Sequence, residues 1–189
     1  DNPTPEICRL TEKEVKLMRM LDHPNCHYLV GAKTTHSEIC ILTEICESGS
    51  VFDYYTKKLM PVHCRFDDAT GRRLALETAT GLGVLHGMHP KVMHRDVKSL
   101  NIFLDNHMVA KVADFGMATH HNKSTEACGT VQWMAPEVLA NLVGRKSAYD
   151  ARSDVYSFGV VLWELFHCRC PYAETGLDQM AIAKKVLKE

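Results

Sequence analysis

Between Val155 and Phe166 the chain is apolar on almost every side of the helix it would form, interrupted mainly by Ser157 and Glu164. A surface helix keeps a polar face toward water, so a helix apolar all round belongs in the centre of a lobe with other elements packed about it. The chain is long enough to do that. At 189 residues, with 46% hydrophobic content, it can form one ordinary domain with a real core.

The other elements are read from period and punctuation. A first helix is predicted over 5–21, with Thr4 and Pro5 as cap and first turn. On it Leu10, Glu14, Leu17, Met18 and Leu21 share one face, which sets a carboxylate inside an apolar stripe. Two explanations stand open: a buried functional glutamate, or a capping box from Thr11 to Glu14 that starts a shorter helix. After the turn Asp22-His23-Pro24-Asn25 come strand candidates at 27–32 and 39–45, the second rich in β-branched residues, and the two could pair as a hairpin. Gly49 and Ser50 break this pattern. Helices then dominate, a short one near 51–58 and a long one over 68–86 in which Ala75, Thr78, Ala79, Leu82 and Leu85 share a face and Gly81 and Gly83 weaken the last turns. Strand-like pieces at 101–104 and 109–113 flank a turn at Asp105-Asn106, and a linker and a final helix follow the apolar segment. No repeat or low-complexity tract occurs, which excludes a helical solenoid.

Charge and composition exclude several function classes. A net charge of −1 and a pI near 6.9 give no reason to expect nucleic acid or an anionic membrane as partner. No apolar run is long enough to cross a bilayer, and the opening DNPTPEICRL lacks the regions of a signal peptide. The eight cysteines are irregularly spaced and are expected as reduced thiols in the cytosol. Among the eleven histidines, Pro24 between His23 and His27 spoils a helical ligand pair, so no zinc site is expected. A cytoplasmic location is the expectation, and nothing fixes the oligomeric state.

Chemistry concentrates in three ordered segments: His94-Arg95-Asp96-Val97-Lys98-Ser99-Leu100-Asn101, then Asp114-Phe115-Gly116, then Ala135-Pro136-Glu137. Phosphoryl transfer needs an acceptor for the nucleophile's proton, oxygen ligands for Mg²⁺ and positive charge near the transferred group. Asp96 is the candidate base or orienter for a substrate hydroxyl, Lys98 can meet the γ-phosphate of ATP, and Asn101 and Asp114 offer hard oxygen ligands to the metal.

With these motifs in this order, joined by Ser153-Asp154-Val155-Tyr156-Ser157-Phe158-Gly159, essentially the whole chain resembles the eukaryotic protein kinases. The resemblance implies an α+β, bilobal, protein-kinase-like fold, with a partial N-lobe and hinge over 1–46, built of a regulatory helix and two strands. A mainly helical C-lobe would follow over 47–189. It also implies roles. Glu14 resembles the regulatory-helix glutamate that pairs with an ATP-contacting lysine, which favours the functional reading over the capping box. Thr43 resembles the gatekeeper, Glu44 and Cys46 the hinge residues that bond adenine, and Phe103 the residue beneath the adenine ring. Met18, Leu29, His94 and Phe115 correspond to the apolar column joining the lobes, and Asp154 to the buried aspartate that holds the catalytic loop. Lys98, and Gly129-Thr130 ahead of Trp133-Met134-Ala135-Pro136-Glu137, resemble the serine/threonine pattern. The wording of both motifs is most similar to the tyrosine-kinase-like group, the Raf and mixed-lineage relatives. The polar run His120-His121-Asn122-Lys123-Ser124-Thr125-Glu126 resembles an activation loop, with Ser124 and Thr125 as phosphosite candidates that could pair with Arg95. Thr130 is counted with these regulatory candidates. Implied partners are ATP, Mg²⁺ and a protein substrate.

The sequence also departs from the pattern. It holds no G-x-G-x-x-G loop and no V-A-I-K-type lysine before Glu14, and it stops before the helices expected to supply an arginine for Glu137. Loss of even one preorganised electrostatic group can cost roughly 10²–10³ in rate, so this segment alone is expected to be inactive or nearly so. Two explanations follow, a piece of a larger active kinase or a degenerate kinase acting as scaffold or nucleotide sensor. Retention of Asp96, Lys98, Asn101 and Asp114 favours the first.

Overall fold

A computed structural model describes residues 4–35, 38–62, 64–121 and 123–188; the first three residues and Asn122 of the polar run lie outside them. Helix α1 spans Pro5–Met18. Its start is the predicted one, because the Thr4 hydroxyl accepts the Ile7 amide at 3.3 Å and Pro5 opens the first turn. The capping box at Thr11 is therefore not a helix start. The helix ends short of residue 21, tightening through Met20 N–H to Leu17 and Leu21 N–H to Met18 before the Pro24 turn. Val15, Leu17, Met18 and Leu21 are buried, whereas Leu10 is 46% exposed and falls outside the stripe.

Strands β1 (Leu29–Thr34) and β2 (Ile39–Thr43) form the expected antiparallel hairpin, with a register shift between Leu29 and Gly31. The first strand begins later than predicted because the residues before it pair elsewhere. Cys26 bridges Val112, and the His27 amide donates to Val112 at 2.8 Å. A second sheet joins β3 (Gly49–Ser50), β4 (Ile102–Leu104) and β5 (Ala110–Val112) in that order, all antiparallel. Its β4–β5 turn is the predicted one at Asp105, whose carboxylate accepts the amides of His107 and Val109.

Helix α2 (Val51–Tyr54) is capped by Ser50 and runs into a π-helical turn at Tyr55–Leu59. Helix α3 (Asp68–Gly87) starts at an Asp67 cap and buries Gly71, Leu74, Thr78, Gly81, Leu82 and Leu85. Ala79, predicted on the inner face, is exposed. Gly81 instead marks the close approach: a Cβ there would lie 2.4 Å from the Asn25 carbonyl oxygen and 2.8 Å from Val112 Cγ2. Backbone cannot yield to a methyl group, so Gly81→Ala is expected to destabilise the fold by about 1–3 kcal/mol. That loss would appear although alanine is the better helix former. A lowered urea midpoint with unchanged slope is the check, and an unchanged or raised midpoint would contradict it.

Helices α4 (Pro136–Leu142) and α6 (Gln179–Val186) pack around a smaller core that includes Met93, Met134, Leu139, Tyr149 and Ile182. Helix α5 (Arg152–His167) is the apolar segment, and it lies against α3 and the main core through Val161 and Leu165. It is not buried on all sides. Val155 is 59% and Trp163 40% exposed, and Tyr156, Val160 and Trp163 line an open apolar hollow of about 850 Å³ with Met60, Pro171 and Tyr172. The covered side faces α3, the 94–101 loop and the Val131–Trp133 turn, so full enclosure is corrected to a half-enclosed helix. No helix among the described residues is long and apolar enough to cross a membrane.

Candidate active site

The loop after α3 carries most of the chemistry, and one buried carboxylate shapes it. Asp154, in the first turn of α5 and 1% exposed, accepts the amides of His94 at 2.8 Å and Arg95 at 2.9 Å and the His86 Nε2 at 2.8 Å. Burial pushes its carboxyl up, but the His86 hydrogen bond, the proximity of His94 and the two amides win and hold it below the usual range. Those bonds stabilise a costly backbone, since Arg95 sits at φ +69°, where a side chain is rarely tolerated.

The strained turn delivers Asp96, 6% exposed, into a cluster of polar side chains. Lys98 Nζ lies 2.7 Å from Asp96 Oδ2 and donates to Thr130 Oγ1 at 2.9 Å. The Thr130 hydroxyl donates to Asp96 Oδ1 at 2.8 Å. Asn101 Nδ2 donates to the Asp96 carbonyl at 2.9 Å and to its Oδ2 at 3.1 Å. The arrangement orients the carboxylate and sets the Lys98 side-chain nitrogen beside it. Thr130, counted in the sequence with the regulatory candidates, lies in hydrogen-bond contact with both Asp96 and Lys98. Gly129 before it, at φ +108°, passes so close that a Cβ would come within 2.5 Å of the Arg95 carbonyl oxygen.

Asp114 follows from β5. The Ala113 amide donates to the Asn101 carbonyl at 2.9 Å and the Ala113 carbonyl faces His94 Nε2 at 3.0 Å, so the two loops are stitched together. Asp114 lies at φ +62° with its side chain exposed, and its Oδ1 lies 3.4 Å from the Gly116 amide. Glu14 approaches from α1: half burial and the nearby Asp114 charge push its carboxyl up, opposed by a hydrogen bond from the Phe115 backbone. In this structure Glu14 therefore meets the Asp114-Phe115-Gly116 segment itself. Met18, Leu29, His94 and Phe115 are all buried, with the last two rings 5.6 Å apart.

Thr43 closes β2 opposite Leu29. Glu44 is heavily engaged. Its Oε1 accepts the Tyr28 amide at 2.8 Å, its Oε2 pairs with Lys111 at 3.0 Å, and its carbonyl oxygen accepts from His27 Nε2 at 3.1 Å. The Cys46 carbonyl accepts from Gly49, and burial together with the Glu44 charge pushes the Cys46 thiol up to about 11. Phe103, on β4, stacks with His27 at 5.4 Å and 18°.

Arg95 donates through Nε to the Met117 carbonyl and through Nη1 to Glu126 Oε2, both at 2.6 Å. Ser124 forms a two-bond bridge with Tyr149, and its hydroxyl accepts the Glu126 amide, while Thr125 is exposed.

One residue central to this scaffold was noticed in the sequence only as an interruption. Glu164, fully buried, accepts from Ser99 Oγ at 2.6 Å, Tyr55 Oη at 2.9 Å and Trp133 Nε1 at 2.7 Å. It joins the 94–101 loop to the π-helical turn after α2 and to the segment before Ala135. A lone carboxylate in an otherwise apolar helix was the available signal.

The model of the protein kinase domain matches residues 4–188. This chain belongs to the protein kinase family. The kinase domain is 36% identical over 181 residues to a probable serine/threonine-protein kinase, SIS8, of Arabidopsis thaliana, covering 94% of this chain and 17% of that protein. It is 36% identical over 194 residues to the serine/threonine-protein kinase STY17 of the same plant, covering 97% and 32%. A probable serine/threonine-protein kinase of Dictyostelium discoideum, drkD, is 36% identical over 188 residues, covering 98% and 14%. The chain thus spans less than a third of the length of each of these relatives.

Proposed function

We propose that this domain belongs to a larger signalling kinase that transfers the γ-phosphoryl group of ATP to serine or threonine hydroxyls of proteins. The observation that carries this reading is the Asp96 cluster. A buried carboxylate fixed by Thr130 and Asn101, with the Lys98 ammonium 2.7 Å away, suits a hydroxyl that must lose its proton beside a group bearing negative charge. Asp96 would orient the substrate hydroxyl and accept its proton. Lys98, shared between Asp96 and Thr130, would turn toward the transferred phosphate.

Magnesium fits the residues present. Asn101 uses its amide nitrogen on Asp96, which leaves its oxygen as a hard donor, and Asp114 presents an exposed carboxylate. When bound, the ion would neutralise charge on the phosphates. Serine/threonine preference rests on Lys98 and the Gly129-Thr130 pair and agrees with what the relatives are named. The phosphosite reading of Ser124 and Thr125 acquires a competitor, because Glu126 already pairs with Arg95. A phosphate on exposed Thr125 would have to take that guanidinium from it.

Phosphate transfer from labelled ATP, by the full-length protein that contains this domain, tests the reading. Incorporation into serine and threonine peptides that requires Mg²⁺, with none into tyrosine peptides, is expected. Nucleotide binding without transfer to any peptide would favour the scaffold reading instead.

A further inference from the structure

A nucleotide base is recognised through two features, a flat ring to stack on and a backbone edge to bond. In this chain one side chain already lies against both. The His27 imidazole lies 18° from parallel with Phe103, centroids 5.4 Å apart, and its Nε2 is 3.1 Å from the Glu44 carbonyl oxygen. A carbonyl can only accept, so the ring proton sits on Nε2. We propose that His27 is a resident stand-in for the base, closing the surface between Glu44 and Phe103, so that a nucleotide enters only by turning this imidazole out. The inference rests on reading that surface as an adenine site.

The main chain around His27 is not free to move with it. The His27 amide is held by Val112 at 2.8 Å, and Tyr28 is tied to Glu44 in both directions, by its amide to Oε1 at 2.8 Å and by its carbonyl to the Glu44 amide at 3.1 Å. Displacement is therefore a rotation of one side chain, and its cost is one hydrogen bond and one ring stack. The Glu44 carbonyl has a second lone pair that a base could share, but one face of Phe103 takes one ring at a time. A competitor inside the site lowers apparent affinity by the fraction of molecules in which it is seated.

The test is calorimetric titration of the full-length protein that contains this domain, and of its His27→Ala variant, with adenosine, which probes the base surface without phosphate contacts. Removing the stand-in should tighten binding at least about tenfold, equivalent to 1.4 kcal/mol. Equal or weaker binding by the variant overturns the proposal. A second measurement holds even if the variant does not fold: adenosine added to the native chain should move the His27 ring resonances as the imidazole leaves the Phe103 ring current. Binding that leaves those resonances in place also overturns it. Failure of the underlying reading looks different, with neither adenosine nor ATP bound at millimolar concentration by either form, and that result removes both.

Discussion

Asparagine at position 96 should reduce phosphoryl transfer by about 10²–10⁴-fold, the usual worth of a positioned general base. The amide keeps one oxygen, which can accept from Thr130 or from Asn101 but not both, and the Asn101 bond to the Asp96 backbone carbonyl is untouched, so most of the loop geometry survives while the basic carboxylate is gone. The loss should fall on kcat and on kcat/KM alike, with KM for ATP little changed, because in the proposed reading Asp96 meets the hydroxyl and not the base. Some stability also goes, since Lys98 loses its partner, but its side chain is 18% exposed and water can replace part of that contact. Steady-state kinetics on the full-length protein decides it. A rate within tenfold of the native one would remove Asp96 from the chemistry.

The second large effect concerns stability. Asp154→Ala should cost about 3–5 kcal/mol in urea unfolding, the range for breaking a buried charged network from one side. Three donors lose their acceptor at once, and two of them are the amides that keep Arg95 at φ +69°. The sign of the pH dependence follows from the depressed carboxyl. Its folded value lies below the unfolded one, so its stabilisation is fully present above the ordinary aspartate range, near about pH 4. It disappears as pH falls through the lower folded value. Glu164 runs the opposite way: burial, opposed by Ser99, Trp133 and Tyr55, raises its carboxyl. Its contribution is complete below the ordinary glutamate range and declines as pH rises through the elevated folded value. Asp154→Asn should therefore flatten the acid limb of the stability curve, and Glu164→Gln should not. An acid limb unchanged by Asp154→Asn would contradict the assignment.

How far the sequence reaches depends on whether the partners of a residue are local. The chain's most legible parts are contiguous: the Thr4-Pro5 helix start, the Asp105 turn, and the order of the segments holding Asp96, Asp114 and Glu137. Asp154 was legible through the resemblance, as the aspartate that holds the loop backbone, which also accounts for a charge beside so apolar a segment. Glu164 posed the same question, but its partners Tyr55, Ser99 and Trp133 come from three separate segments, and nothing in helix periodicity points to them. Ala79 misled for a related reason. The inner face of α3 is set by where Asn25 and Val112 press against Gly81, and a glycine carries no hydrophobic signal. The outer face of α5 failed in the other direction, since apolar residues reveal a tendency to be covered without showing which neighbours cover them. Thr130 was legible as part of the Gly129-Thr130 pattern and as a regulatory candidate, and Glu126 as the end of the polar run. Which of them met Asp96 and which met Arg95 required the folded backbone.

Helix α5 and the segment before α4 also divide the chain's two indole rings between very different surroundings. Trp133 is 3% exposed and donates its Nε1 proton to Glu164, whereas Trp163 is 40% exposed and stacks on His167 at 4.7 Å. Their emission should separate accordingly, a blue component from the first and a red, partly quenched component from the second. The blue component then reports the Ser99–Glu164 linkage beneath the catalytic loop, and the red one reports whatever covers or uncovers the outer face of α5. Loosening of the loop and occlusion of that face can thus be followed in one spectrum without attaching a dye.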